Sequence, residues 1–273
     1  MRRYQLNSAM PVLLRPDGVV QVGWDPRRAV LVRPPAGLSA ATLAALLRTL
    51  QSGATLAELQ LRYEVDAGEL VASLLDAGVV TAVEPTRTRS ASIRIHGHGP
   101  LSDLLTGALQ CSGARLTRSS VTGAAPPDTT DLVVLADFLV ADPRVVRELH
   151  TARVAHLPVR LRDGAGLVGP LVIPGVTSCL DCADLHRSDR DAAWPAVASQ
   201  LRNAVGSADR ATVLATAALA LNQVDRVIGT VRRGGTVGVS AELPPTLDTT
   251  LEFDVNAGAI VARRWSRHPR CWC

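Results

Sequence analysis

The order of apolar and polar positions changes character near residue 90. Before it, Val12-Leu-Leu-Arg15 and Val19-Val-Gln-Val22 flank the turn Pro16-Asp17-Gly18 and read as a strand pair. Ala29-Val-Leu-Val-Arg33 predicts a third strand, stopped by Pro34-Pro35. Leu43, Leu46, Leu47 and Leu50 then recur at helical spacing, between Ser39 as N-cap and Gly53 as stop. A second helix opens at Thr55, with Glu58 at the distance of a capping box. A third opens at Asp66 and Glu69, turns Leu70, Val71, Leu74 and Leu75 inward, and ends at Gly78. Val79–Val83 closes the series as a strand. Strands, three short helices and a closing strand predict a winged-helix-like module over residues 1–90.

Pro85–Ser92 is polar and reads as a linker. Beyond it, over 91–273, strand and helix patterns alternate. Ser92–His96 predicts a buried strand that passes through Gly97-His-Gly99 into a helix over Leu101–Leu109. Short strands at Arg115–Arg118, Asp131–Ala136 and Leu157–Leu161 bracket a helix over Pro143–Ala155. This alternation predicts an α/β fold with a doubly wound parallel sheet. Ser207–Ile228 is a long apolar helix. Thr236–Arg263 alternates in short runs that suit antiparallel strands.

Composition narrows the function. Apolar residues make up 47% of 273, so a packed core is expected and wholesale disorder is excluded. The longest apolar stretch, Ala211–Leu221, is shorter than the roughly 20 residues of a membrane span. No signal-like core follows Met1-Arg-Arg-Tyr4, so a cytoplasmic protein is expected. All 29 basic residues are arginines. A Schiff-base lysine and a P-loop lysine are therefore excluded. The formal charge of +4 does not favour a polyanion partner.

Five cysteines in such a chain point to metal or thiol chemistry rather than disulfides. Cys179-Leu-Asp-Cys182 and Cys271-Trp-Cys273 are two close pairs far apart, the pattern of a tetrahedral Cys₄ zinc site. A CxxC redox couple or four free thiols are the alternatives. Gly97-His-Gly99-Pro-Leu-Ser102 is a degraded GxGxxG between a strand and a helix. It marks Gly97 and Gly99 as candidate nucleotide contacts, or else as a plain tight turn. Asp137, at the end of the third sheet strand, is either a ligand for a metal-bound phosphate or ribose, or a cap. Cys111 is expected to be a buried core thiol. Leu185–Asp191 reads as a charge-dense loop, with His186 beside Asp189 and Asp191 as a candidate general base or a solvated surface.

Val134-Leu-Ala-Asp137, Gly169-Pro-Leu-Val-Ile-Pro-Gly-Val-Thr-Ser-Cys-Leu-Asp-Cys182 and Trp265…His268-Pro-Arg-Cys-Trp-Cys273 resemble the ThiF/MoeB (ubiquitin-activating-type) fold. Within it they resemble the azole-peptide (TOMM) branch of cyclodehydratase C or leader-peptide-binding proteins, which carry a winged-helix peptide-binding element before the ThiF-like domain. The resemblance implies structural zinc, a homodimer and, in active members, ATP-dependent adenylation of a carboxyl terminus. Active members have a fuller glycine loop and an ATP-contacting lysine. This chain has neither, and no cysteine lies between Cys182 and Cys271 for a thioester.

The reading that follows is a non-catalytic scaffold that binds a precursor or leader peptide and presents it to an ATP-using partner enzyme. A ThiF-type adenylyltransferase with a rebuilt ATP site is the alternative. A winged-helix DNA-binding dinucleotide sensor is the third. DNA is disfavoured because the third helix carries Asp66, Glu69 and Asp76 and no basic residue.

Overall fold

The leucine spacing after Ser39 produces its helix. In a computed structural model, which describes residues 2–83, 89–120, 130–235, 237 and 244–273, helix α1 (Ala40–Gln51) buries Leu43, Leu46, Leu47 and Leu50 completely. Burial of each leucine contributes about 1.5–3 kcal/mol. Ser39 caps the helix, its hydroxyl accepting from Thr42 N–H at 3.0 Å. Helix α2 (Leu56–Tyr63) starts with the capping box at Thr55 and Glu58, both bonds being present at 2.8 and 3.2 Å.

These helices belong to a unit spanning Met1–Thr86. Strands β2 (Val12–Leu14), β3 (Val20–Val22) and β4 (Val30–Val32) form an antiparallel sheet in that order. A second small sheet has β1 (Arg3–Leu6) at its centre, paired with β5 (Ala54–Thr55) and β6 (Val80–Val83). Strand β1 has no sequence signature, because only Leu6 of its four residues is buried. Helix α3 (Gly68–Asp76) turns Val71 and Leu74 into the core, while Leu70 and Leu75 are half-buried against it. Leu74 is 2% exposed and therefore unavailable to a surface groove.

The second unit, Arg87–Cys273, is built on a seven-stranded sheet in the order β13-β12-β11-β10-β9-β7-β8. Strands β7 (Ser92–His96), β8 (Arg115–Ser119), β9 (Leu132–Ala136) and β10 (His156–Arg162) run parallel. Strands β11 (Ala165–Val168), β12 (Thr249–Asp254) and β13 (Ala259–Arg264) continue antiparallel from β10. The expectation of a parallel sheet thus holds for four strands, and the whole is mixed. The reason lies at Asp163-Gly164. Both residues have positive φ, 52° and 82°, and two such residues make a tight hairpin that reverses the chain. No crossover helix fits in two residues.

Successive strand residues point to opposite faces, and helices cover both. Leu132 and Val134 pack with α4 (Pro100–Leu109) and α8 (Arg210–Arg232). Val133 and Leu135 pack with α5 (Pro143–Thr151) and Leu180. Asp209 caps α8 by accepting from Ala211 N–H and Thr212 N–H at 2.8 and 3.0 Å. Among the described residues no helix is long and apolar enough to cross a membrane.

Two further expectations change. Leu185–Asp191 is not a loop: Leu180–Arg190 is helix α6, and α7 (Trp194–Leu201) follows it. Its charged composition hid a narrow apolar face at Leu180, Cys182 and Ala183. Cys111 is exposed rather than buried, because α4 ends at Leu109 and a 3-10 turn swings the thiol outward. The linker over 85–92 and the alternation from Thr236 fall partly on residues outside those described.

Candidate functional site

The four paired cysteines converge. Cys179 is the N-cap of α6 and Cys182 lies in its first turn, both buried. The loop leading to Cys179 is held by Asp248, whose carboxylate accepts from the backbone N–H and hydroxyl of Ser178 at 2.7 and 2.8 Å. The second pair arrives on the C-terminal segment. That segment is stapled to α6 and its approach: Arg267 donates to the Gly175 carbonyl at 2.8 Å, and His268 Nε2 lies 2.8 Å from the Asp189 carboxylate, which Arg270 also grips. So Cys271 and Cys273 are delivered opposite Cys179 and Cys182.

Sulfur separations are 3.7 Å for Cys179–Cys182, 3.5 Å for Cys179–Cys271 and 3.4 Å for Cys182–Cys273, and all four sulfurs lie within 4.8 Å of one another. Four thiolates about 2.3 Å from one ion stand about 3.8 Å apart at tetrahedral angles. The cluster therefore has the dimensions of a tetrahedral thiolate metal site. Its outer contacts suit one too: Cys182 Sγ accepts from His268 N–H at 3.3 Å, and Cys179 Sγ from Cys182 N–H at 3.4 Å. Without a cation the thiols resist ionising together. Burial raises the Cys179 pKa, and burial with the neighbouring Cys182 pushes Cys273 up to about 11. Burial works upward on Cys182 as well, but backbone N–H groups, that of His268 foremost, bring it below its ordinary value. A bound cation would supply the charge that four thiolates need.

Gly97, Gly99 and Asp137 are also brought together, at the start of α4. A Cβ on Gly97 would strike the Ala136 carbonyl, and one on Gly99 would lie 2.8 Å from the Asp137 carboxylate. Asp137 is 1% exposed and has φ 72°. Its carboxylate accepts from Leu101 N–H at 2.9 Å and from Ser102 N–H at 3.2 Å. Those are the helix N-terminal donors that a phosphate takes in dinucleotide folds. Here an internal carboxylate caps the helix. At the carboxyl ends of the neighbouring strands lies a small cavity of about 220 Å³, lined by His96, Phe138, Asp142 and Arg160 among others. His96 Nδ1 is 2.9 Å from the Ser119 hydroxyl, and burial, then Arg94, lowers its pKa.

His186 is close enough to Asp189 to lower its pKa, behind His268 and Arg270, but it forms no hydrogen bond to Asp189 or Asp191. Its Nε2 lies 3.1 Å from the Ser266 carbonyl, and its ring meets His268 edge-on at 4.7 Å. Sequence reading gave no shared role to Arg160, Arg187, Trp194 and Trp265, which line one cavity. They come from four separate segments with no shared local pattern, and only the fold assembles them.

The fold as a whole has known counterparts. The chain shares the fold of the heterocyclase TruD and of MccB. It matches TruD with a TM-score of 0.66 at 16% identity, covering 100% of this chain and 42% of that one. A heterocyclase in complex with substrate and cofactor matches with a TM-score of 0.68 at 16% identity, covering 100% of this chain and 39% of that one. The chain thus spans about two-fifths of the length of these heterocyclases. E. coli MccB, solved with ATP, matches with a TM-score of 0.58 at 12% identity over 99% of both chains. No protein-family model and no curated protein matches the chain. The resemblance read from the cysteine motifs and Asp137 is thereby met at the level of fold.

Proposed function

We propose that the chain is a non-catalytic leader-peptide-binding scaffold, cyclodehydratase-C-like, in azoline-type modification of ribosomal peptides. Residues 1–90 are its winged-helix-like peptide-recognition module, and residues 91–273 its ThiF/MoeB-like domain. It presents a precursor peptide to an ATP-using partner enzyme and works as a cytoplasmic homodimer. Zinc, held by Cys179, Cys182, Cys271 and Cys273, fastens the C-terminal segment to the domain and takes no part in chemistry.

The observation that carries the non-catalytic reading is Asp137. Its carboxylate takes the Leu101 and Ser102 N–H groups, so the turn through Gly97 and Gly99 offers no free cradle for a triphosphate. The absence of lysine removes the other usual phosphate partner. Peptide binding is supported by β4, an edge strand of its sheet, with Leu31 56% exposed. A strand added beside β4 therefore finds Leu31 as an apolar neighbour as well as main-chain partners. The likeness to heterocyclases and to a structure of the Microcin C7 biosynthetic enzyme MccB in complex with N-formylated MccA supports the setting.

Two measurements on the full chain test this. Labelled pyrophosphate exchange with a candidate precursor peptide stays at background, and the same peptide shifts resonances along Val30–Val32. Robust exchange by the purified chain would promote the adenylyltransferase reading. Tight, salt-sensitive duplex binding would promote the DNA-binding one.

A further inference from the structure

A cavity of about 740 Å³ lies in the Arg87–Cys273 unit, and neither the four cysteines nor Gly97, Gly99 and Asp137 line it. Its floor is the end of β10 with the antiparallel strands, at Leu161, Leu167, Thr250 and Arg263; α6 and Trp194 form a wall. The size suits a small molecule or a short peptide segment.

Most of its inner charges are already matched. Arg162 and Arg263 share the Glu252 carboxylate at 2.9 and 3.1 Å. Arg187 is held by Asp184 at 2.7 Å and stacks between Trp194 and Trp265, its guanidinium 5.1 and 5.0 Å from the ring centres. Arg160 differs. It is half-buried, its one hydrogen bond among the described residues goes to the Leu139 carbonyl at 3.1 Å, and no described carboxylate pairs with it. Burial, then the charge of Arg187, lowers its pKa to about 10, which leaves it a cation at neutral pH. The remaining lining charges, Asp163, Asp181, Arg190 and Asp191, are on exposed residues, and Asp163 also lies 4.0 Å from Arg162.

We propose that this cavity binds a carboxylate carried on an apolar body, with Arg160 as the anchoring cation. A desolvated guanidinium with unused N–H donors gains most from a bidentate carboxylate. Five arginines and five acids line the space, so it offers no net positive charge to a polyphosphate, while the unpaired Arg160 accepts a single carboxylate. Leu139, Val140, Leu161 and Leu167 supply the apolar wall for the ligand's body. The carboxylate belongs to a peptide C-terminus or to an acidic side chain.

The site stands on the cavity's own residues and does not rest on the scaffold reading. Calorimetric titration of the full chain uses three probes without leader sequence: N-acetyl-leucyl-leucine, its C-terminal amide, and N-acetyl-leucyl-aspartyl-leucine amide. At least one carboxylate probe binds about tenfold or more tightly than the amide; which one binds better identifies the source of the carboxylate. Arg160→Gln abolishes that preference, and Arg160→Lys restores part of it. Acid and amide binding alike to the unaltered chain, no binding of either carboxylate probe, a preference that survives Arg160→Gln, or ATP binding more tightly than both carboxylates would each overturn the proposal.

Discussion

Two helix N-termini in the same unit are completed in opposite ways. At α4 the N–H donors of the first turn are taken by Asp137, a buried carboxylate 36 residues away at the end of β9. At α6 the first turn is built from cysteines, and its acceptors are sulfurs that also face two further sulfurs from 91 and 92 residues away. The first arrangement is self-contained: every group has a partner within the chain. The second is incomplete, because four close thiols become four thiolates only with a cation among them. A strand–helix turn with a glycine signature is thus poor evidence for a ligand, whereas converging cysteines ask for one. What decides between them is the acceptor that the rest of the fold delivers to the helix end.

The incomplete terminus is the one that breaks hardest. Purified protein is expected to carry one zinc per chain, read by elemental mass spectrometry. Cys271→Ser loses the ion, releases the C-terminal segment and costs about 4 kcal/mol or more of stability. Chelator lowers the melting temperature of the unaltered chain and leaves that of the variant unchanged. Metal-free protein that melts where the untreated protein does would remove the distinction between the two helix ends.

On the face of the sheet that carries the cysteines, His156 is fully buried, with Nδ1 3.1 Å from the Val154 carbonyl and Nε2 without a described partner. Burial lowers its pKa from 6.5 to about 4. The folded chain therefore binds fewer protons than the unfolded one across that interval, and stability falls as pH drops from about 6.5 to about 4. The loss reaches about 3 kcal/mol at its acid end. Urea midpoints for His156→Leu should lie on a flatter pH profile than those of the unaltered chain.

The self-contained terminus responds less. Asp137→Ala leaves the Leu101 and Ser102 N–H groups unpaired in a buried turn and costs about 2 kcal/mol, again read from urea midpoints. Pyrophosphate exchange stays at background in the variant, since the opened helix end still lacks a cationic partner. Appearance of exchange would show that Asp137 alone had been masking an ATP site.

Legibility followed the range of the interactions. Helices α1 and α2 were readable because their caps and apolar stripes lie within a few residues of one another. The cysteine pairs were readable because metal chemistry leaves a spacing even when its halves are distant. Strand β1 was not, since Arg3-Tyr-Gln-Leu6 has no alternation and owes its place to pairing with β5 and β6. The Asp163-Gly164 signal was present, but β11 is only four residues long and was passed over. Asp137 was left between ligand and cap because its partners come from across the sheet. Arg160 left no trace at all, because its lack of an acid is a property of the assembled cavity.

The smallest effect is expected at α2, whose terminus is completed from within its own first turn and so forms the limiting case of the contrast. Thr55→Ala removes the oxygen that accepts from Glu58 N–H and costs about 1 kcal/mol. The reciprocal half has a pH signature. The Thr55 backbone N–H, ahead of the charge of Arg3, holds the Glu58 carboxyl below its ordinary 4.5, with burial opposing. A lowered carboxylate stabilises above the unfolded value and loses that contribution as pH falls through the folded one. Glu58→Gln should therefore leave stability at pH 7 slightly reduced and erase the part of the acid limb that lies near and below 4.5. His156 titrates over a range that reaches down to about the same pH, so the assignment needs Glu58→Gln combined with His156→Leu. If the double variant shows the same acid limb as His156→Leu alone, the carboxylate is not bonded to the helix end, and α2 relies on Thr55 only.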